Sequence, residues 1–167
     1  TAIHEQNSIP GMTNKLLGRF VDRVFVTYPD RTHAFPAQRT VRLGNPIRGG
    51  IMAAIEPPVA GRRHLLVLGG SQGARAVNDA VLDVLPRLLD AGLKVRLQAG
   101  RADFDRVGIR AAEVLAGRVH AGGEPDFVLE NFIENMAEAY GWADLVLARA
   151  GATTLAEVTA AGKPSIL

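Results

Sequence analysis

The sequence contains no cysteine. That excludes disulfides, zinc–thiolate sites and a cysteine nucleophile, and it fits a reducing compartment. No apolar run approaches the length of a bilayer span and no signal-peptide pattern opens the chain, so a soluble or peripheral protein is expected. A large charge of one sign is also missing. Nineteen basic residues against seventeen acidic ones leave a formal net charge of +2, too small to point to nucleic acid. Arg62-Arg63-His64 is the nearest thing to a basic cluster, and it is short enough to be a solvated linker edge. The four histidines (His4, His33, His64, His120) show no ligand spacing, and no carboxylate pair is spaced for a divalent ion. Neither a metal nor a cofactor is expected. G-x-G-x-x-G and G-x-x-x-x-G-K-[ST] are absent, which argues against a nicotinamide oxidoreductase and a P-loop phosphatase.

What remains is an ordinary globular composition, 47% hydrophobic and 22% charged, organised by glycine turns. Leu65-Leu66-Val67-Leu68 reads as a buried strand, followed by Gly69-Gly70-Ser71-Gln72-Gly73 and a long amphipathic helix carrying Val77, Ala80, Val81, Val84, Leu85, Leu88 and Leu89. Helix N-termini carry unpaired N–H groups at the positive end of a dipole, so a strand–glycine turn–helix holds phosphate without a cationic side chain. The glycines permit positive φ and close approach of a ligand. The same turn also serves merely to reverse the chain, and the motif alone leaves both readings open.

Strands are predicted near 64–68, 94–98, 117–120 and 144–148, with helices near 73–91, 103–116, 135–142 and 153–161 and a stub strand from Ser165. Ahead of them lie a strand at the start of the chain, a helix from Asn14 to about Val21, and short strands at 24–27 and 40–43. Residues 49–63, rich in glycine and proline, read as a linker. Such alternation implies α/β architecture, a parallel sheet covered on both faces, with ligands outside the carboxyl ends of its strands. Thr1–His4 reads as the tail of a strand and Pro164–Leu167 as the start of one, so the chain is expected to be part of a longer protein.

A second glycine turn, Ala150-Gly151-Ala152-Thr153-Thr154-Leu155-Ala156-Glu157, follows the strand at 144–148. Thr154 and Glu157 fit a capping box. Alternatively, Gly151 and the threonines face phosphate, and Glu157 accepts bonds from the vicinal hydroxyls of a ribose. His4-Glu5-Gln6-Asn7 gathers four polar side chains at a strand end, either solvated or turned toward a ligand. His4 reads as a structural hydrogen-bonding residue ahead of a catalytic one. Arg48 is either a solvated turn residue or a cation at a ligand cleft. Ile133 lies in a strand-to-helix loop, where its main chain is able to read the edge of a base. Tyr140 and Trp142 read as packing residues.

Taken together, five segments resemble the MurG family, the undecaprenyldiphospho-muramoylpentapeptide β-N-acetylglucosaminyltransferases of bacterial cell-wall synthesis. They are His4-Glu5-Gln6-Asn7 with Gly11-Met12-Thr13-Asn14-Lys15, Gly44-Asn45-Pro46-Ile47-Arg48, Gly69-Gly70-Ser71-Gln72-Gly73-Ala74, Phe132-Ile133-Glu134-Asn135-Met136, and Gly151 to Glu157. They occur in the family order over nearly the whole chain. The joint set is specific although each piece is not.

The resemblance implies a GT-B glycosyltransferase of the family 28 type with two Rossmann-like domains around a cleft. Residues 1–48 would close the N-terminal, acceptor-side domain, 49–63 would link, and 64–167 would form a truncated UDP-sugar-binding domain. The implied reaction moves N-acetylglucosamine from UDP-GlcNAc to lipid I with inversion, giving lipid II. It takes place at the cytoplasmic face of the bacterial plasma membrane, with cell-wall synthesis and division proteins as partners. The resemblance puts Asn7 near the donor sugar, Arg48 in the donor cleft, Ser71 at the diphosphate and the Ile133 main chain at the uracil. Ala152, Thr153 and Thr154 fall at the sugar and phosphates, with Leu155 and Ala156 in the same binding segment, and Glu157 falls on the ribose. Helix N-termini would stabilise the departing UDP.

The family's glycine-rich N-terminal loop, with its candidate base histidine, and its glutamine-containing donor-sugar segment do not occur in this chain. No catalytic base is therefore assigned within it, and residues 1–167 alone are expected not to turn over lipid I. Two other classes remain to be separated by binding: another UDP-sugar enzyme of the same fold (a glycolipid glycosyltransferase or a sugar-nucleotide epimerase), and a non-catalytic nucleotide-sugar-binding module.

Overall fold

Runs of β-branched and aliphatic residues set the strands, and what they pack against separates the chain into two bodies. The computed structural model describes every residue except 55, 56, 58, 71, 72 and 119–121. One unit comprises Thr1–Ile47 with Gly151–Ala156, the other Arg48–Ala150 with Glu157–Leu167.

In the first unit, β1 (Ala2–Glu5), β2 (Arg23–Val26) and β3 (Thr40–Arg42) form a three-stranded parallel sheet in the order β1-β2-β3, with α1 (Met12–Leu17) between β1 and β2 in the chain. Its small core gathers Val21, Val24, Val26 and Phe35. The helix expected from Asn14 to Val21 begins two residues earlier and stops at Leu17. Of the apolar residues in the segment, Val21 is buried while Leu16, Leu17 and Phe20 are exposed.

The second unit holds β4 (His64–Leu68), α2 (Arg75–Asp90), β5 (Lys94–Gln98), α3 (Phe104–Val114), β6 (Phe127–Glu130), α4 (Met136–Trp142), β7 (Leu145–Ala148), the part of α5 (Ala152–Ala160) from Glu157 onward, and β8 (Ser165–Ile166). All five strands are parallel, in the order β6-β5-β4-β7-β8. Alternation along β4 divides the core. Leu65 and Val67 pack with Val81, Leu82 and Leu85 of α2 and Val107 of α3, whereas Leu66 and Leu68 pack with Ala139 and Tyr140 of α4 and Val158 of α5. The sheet is thus covered on both faces, as the alternating pattern implies.

Of the strand predicted at 117–120, the two described residues, Gly117 and Arg118, are not in a strand: they follow the end of α3, where the Arg118 N–H donates to the Leu115 carbonyl at 3.0 Å. Residues 119 and 120 lie outside the described residues. The third strand of that side is β6, which starts only after Gly122, Gly123 and Pro125 and carries the alternating Phe127 and Leu129 toward α3.

Helices α2 and α3 are clasped by charge. Arg106 contacts Asp79 at 2.6 Å and Asp103 at 2.6 Å, and Arg110 contacts Asp79 at 3.0 Å and also Asp83. The Arg106 guanidinium holds the Asp103 carboxyl down to about 2, with Asn78 adding a further bond. Arg62 is likewise no solvated linker edge. Its Nε donates to Asp144 at 2.8 Å, and His64 stacks on Trp142 with ring centroids 4.3 Å apart.

Candidate nucleotide-binding site

Chain order and sheet order disagree at one place in the second unit. From β4 the chain moves to β5 and β6, then returns past β4 to β7. The β4–β7 pair is therefore a topological switch point, and ligands in open parallel sheets bind outside the carboxyl ends of such a pair. Each glycine turn follows one of these strands: Gly69 comes directly after the end of β4, and Arg149 and Ala150 separate Gly151 from the end of β7.

The turn after β4 owes its glycines to two different needs. Gly70 and Gly73 take φ of +78° and +82°. A Cβ on Gly69 would sit 2.8 Å from the Gln98 carbonyl oxygen, and one on Gly73 2.6 Å from that of Ala99. These two glycines let the turn lie against the end of β5, so the space beside them is filled by backbone rather than kept for a ligand. Gly70 differs, since among the described residues only the Arg149 guanidinium approaches it, at 3.3 Å from a notional Cβ. Arg149, at the end of β7, also donates from Nη2 to the Gly69 carbonyl at 3.3 Å, tying the end of β7 to the first turn. Ala74, the residue before α2, has no side-chain oxygen to cap it. The first-turn N–H groups of α2 are thus groups that an anion would satisfy. Ser71 lies outside the described residues.

The turn after β7 overturns the capping box. Gly151 opens α5, its carbonyl accepting from the Leu155 N–H at 2.8 Å. Thr154 is therefore already inside the helix, with Ala152, Thr153, Leu155 and Ala156 on the first turns. Glu157 lies deeper and its carboxylate turns inward, only 2% exposed. The Tyr140 hydroxyl donates to its Oε2 at 3.3 Å. Arg48 Nε lies 2.9 Å from Oε1. That contact is an ion pair without hydrogen-bond alignment, so Oε1 is a buried acceptor with no donor among the described residues. Burial, reinforced by the Glu157 charge, pushes the Tyr140 phenol well above its ordinary value and keeps it a proton donor.

The structure thus brings Arg48 and Glu157 together, and it adds Tyr140 and Arg149, which sequence reasoning missed. Tyr140 had read as packing because an aromatic four residues into a short helix is normally core. Ile133 is buried in the loop before α4, and its N–H donates to the Gln98 Oε1 at 3.3 Å, so its main-chain donor is already engaged.

In the first unit, the cluster at the end of β1 satisfies itself. Glu5, 2% exposed, accepts from the Asn7 N–H and Nδ2, both at 2.9 Å, from the Gly11 N–H at 2.9 Å and from Asn14 Nδ2 at 3.0 Å. Burial pushes the Glu5 carboxyl up, but these bonds outweigh it and hold it below the usual range. Asn7 is exposed, yet its side-chain amide is held by Glu5 rather than free for a ligand. His4 Nε2 lies 3.2 Å from the Gly44 carbonyl and 3.3 Å from Thr27 Oγ1.

Residues 64–167 match the model of the glycosyltransferase family 28 C-terminal domain. The whole chain is 72% identical to a UDP-N-acetylglucosamine–N-acetylmuramyl-(pentapeptide) pyrophosphoryl-undecaprenol N-acetylglucosamine transferase of Solidesulfovibrio magneticus, covering 46% of that protein. It is 51% identical over 99% of its length to the protein of the same name from Nitratidesulfovibrio vulgaris, covering 44% of it. Among solved structures it resembles Acinetobacter baumannii MurG, with 32% identity and a TM-score of 0.66 over 98% of this chain and 44% of that one. The chain spans a little under half the length of the relatives it matches.

Proposed function

The chain belongs to glycosyltransferase family 28, and from that premise we propose that it supplies the donor-binding part of an enzyme that moves N-acetylglucosamine from UDP-GlcNAc to lipid I. The observation that carries this reading is the switch point between β4 and β7. An uncapped sixteen-residue helix follows one glycine turn, and a buried carboxylate stands on the helix that follows the other. A helix N-terminus suits a diphosphate, and a carboxylate suits the paired hydroxyls of a ribose. The printed names of the relatives supply the sugar and the acceptor.

In this reading the acceptor hydroxyl attacks the anomeric carbon as the bond to the diphosphate breaks. The new glycosidic bond forms with inversion and UDP departs with the electron pair. The α2 N-terminus, with Ser71 ahead of it, stabilises the charge growing on the diphosphate. Thr153 and Thr154 offer hydroxyls to the sugar and phosphates, Glu157 accepts from the ribose, and Arg48 adds positive charge beside it. Uracil is read at the loop of Ile133. The proton acceptor is assigned outside this chain. No helix among the described residues is long and apolar enough to cross a membrane. A lipid-linked acceptor then calls for work at the cytoplasmic surface of the plasma membrane, beside other enzymes of wall synthesis and division.

Isothermal titration of the chain with UDP-GlcNAc and with GDP-mannose tests the donor assignment. Saturable binding of the first and none of the second is expected. Equal binding of the two, or binding of neither, overturns it.

A further inference from the structure

We infer that Tyr140 is a positioning residue for nucleoside recognition: its buried hydroxyl fixes one oxygen of Glu157 so that the other faces the ribose diol of the donor. The inference rests on the donor-site reading above and adds to it the residue that sets ribose selectivity.

Three observations carry it. First, Tyr140 is 1% exposed and lies on α4, inside the core that α4, α5 and β4 share. It belongs to the same buried cluster as Leu66 and Val158, so its hydroxyl is a fixed donor rather than a swinging one. Second, that hydroxyl donates to Glu157 Oε2 at 3.3 Å, and a buried phenol that found no acceptor there would go unsatisfied. Third, the two oxygens of the carboxylate are treated differently. Oε2 has a directed donor from the interior. Oε1 has only the charge of Arg48 Nε at 2.9 Å and no hydrogen-bond donor.

An acceptor that is buried, charged and without a directed donor is costly unless something completes it. A vicinal diol offers two O–H donors to such a group. Arg48, half exposed, is the partner able to swing aside, whereas Tyr140 is enclosed. Carboxylate rotation is the freedom that the Tyr140 bond removes. Preorganising an acceptor lowers the entropy lost when the diol binds. Tyr140 touches neither sugar nor phosphate in this account; it acts through Glu157.

The test compares UDP with 2′,3′-dideoxyuridine 5′-diphosphate, each titrated calorimetrically into the chain and into its Tyr140→Phe variant. The wild-type chain is expected to prefer UDP by at least about tenfold, the scale of a hydrogen bond to a charged group. Tyr140→Phe is expected to weaken UDP about five- to tenfold and to leave the dideoxy ligand within twofold, so the preference collapses. Equal weakening of both ligands would mean a purely structural role and overturns the inference. So does unchanged UDP affinity. A wild-type chain that binds both ligands equally overturns the ribose role of Glu157 itself, a separable failure that takes the inference with it. Because the chain has only two tyrosines, fluorotyrosine labelling of the wild-type protein gives a second readout that needs no variant. The Tyr140 resonance is expected to shift with UDP and not with the dideoxy ligand, with Tyr28 as internal reference. A Tyr140 signal indifferent to UDP contradicts the inference.

Discussion

Arg48 Nε stands 2.9 Å from Oε1 of Glu157, a carboxylate 2% exposed, while Arg48 itself is half exposed. One partner is held in the interior and the other reaches it from solvent. Removing Arg48 leaves a buried negative charge uncompensated. Arg48→Ala is therefore expected to lower unfolding stability by about 1–2 kcal/mol, less than for a fully enclosed pair because solvent screens the exposed side. Adding Glu157→Gln, which removes the orphaned charge, is expected to restore most of that loss. Urea unfolding of wild-type, single and double variants measures this, and a double variant no more stable than Arg48→Ala contradicts it.

At the first glycine turn, the prediction separates folding from binding. Gly73→Ala forces a side chain onto a φ of +82° and puts its Cβ 2.6 Å from the Ala99 carbonyl oxygen. A loss of about 2–3 kcal/mol is expected in urea unfolding. Gly70→Ala keeps the unfavourable φ but, among the described residues, meets only the flexible end of Arg149. About 1 kcal/mol is expected there. Equal losses at the two positions contradict the packing role assigned to Gly73.

The α2–α3 clasp predicts a pH dependence. Asp103 has its carboxyl lowered from 3.8 to about 2, chiefly by the hydrogen bond from Arg106. A carboxyl depressed by folding contributes stability above its unfolded value and loses it as pH falls through the folded one. The stability gap between wild-type and Asp103→Asn is thus expected to be full above about pH 4 and to close toward about pH 2. Urea midpoints measured across that range check it. A gap that stays constant from neutral pH down to pH 2 contradicts the assignment.

In the first unit, Glu5 holds the loop from Asn7 to Asn14 by four bonds. Glu5→Gln keeps the shape but offers an N–H where the Asn7 or Gly11 N–H needs an acceptor. A loss of about 2 kcal/mol or more is expected, with faster amide exchange at Asn7 and Gly11. Unchanged exchange at both amides contradicts it.

How far the fold and site could be read in advance differed by residue for physical reasons. The strands at 64–68 and 94–98 and the long α2 were legible because their apolar periods are clean and their ends are marked by glycine. The strand at 127–130 was missed because it is only four residues long, follows a glycine-rich turn and ends in Glu130. Thr154 and Glu157 fit a capping box in spacing, but Gly151 had already opened the helix, and a pattern of spacings cannot say which residue does so. Glu157 was marked for ribose by its residue type. Its partners Arg48 and Tyr140 are brought to it by tertiary packing, which no local pattern encodes. Arg149 sat in plain view at a strand end, but only the adjacency of β7 to β4 gives it the Gly69 carbonyl.

The most direct test of the central claim is amide NMR of the chain titrated with UDP. The account predicts shifts concentrated at Gly69, Gly70 and the first turn of α2, Arg75 to Val77, together with Gly151 to Glu157, and little change at the amino end of the strands near His64 and Trp142. Saturating UDP that leaves these residues unmoved, or that moves His64 and Trp142 instead, would contradict a nucleotide site at the β4–β7 switch point.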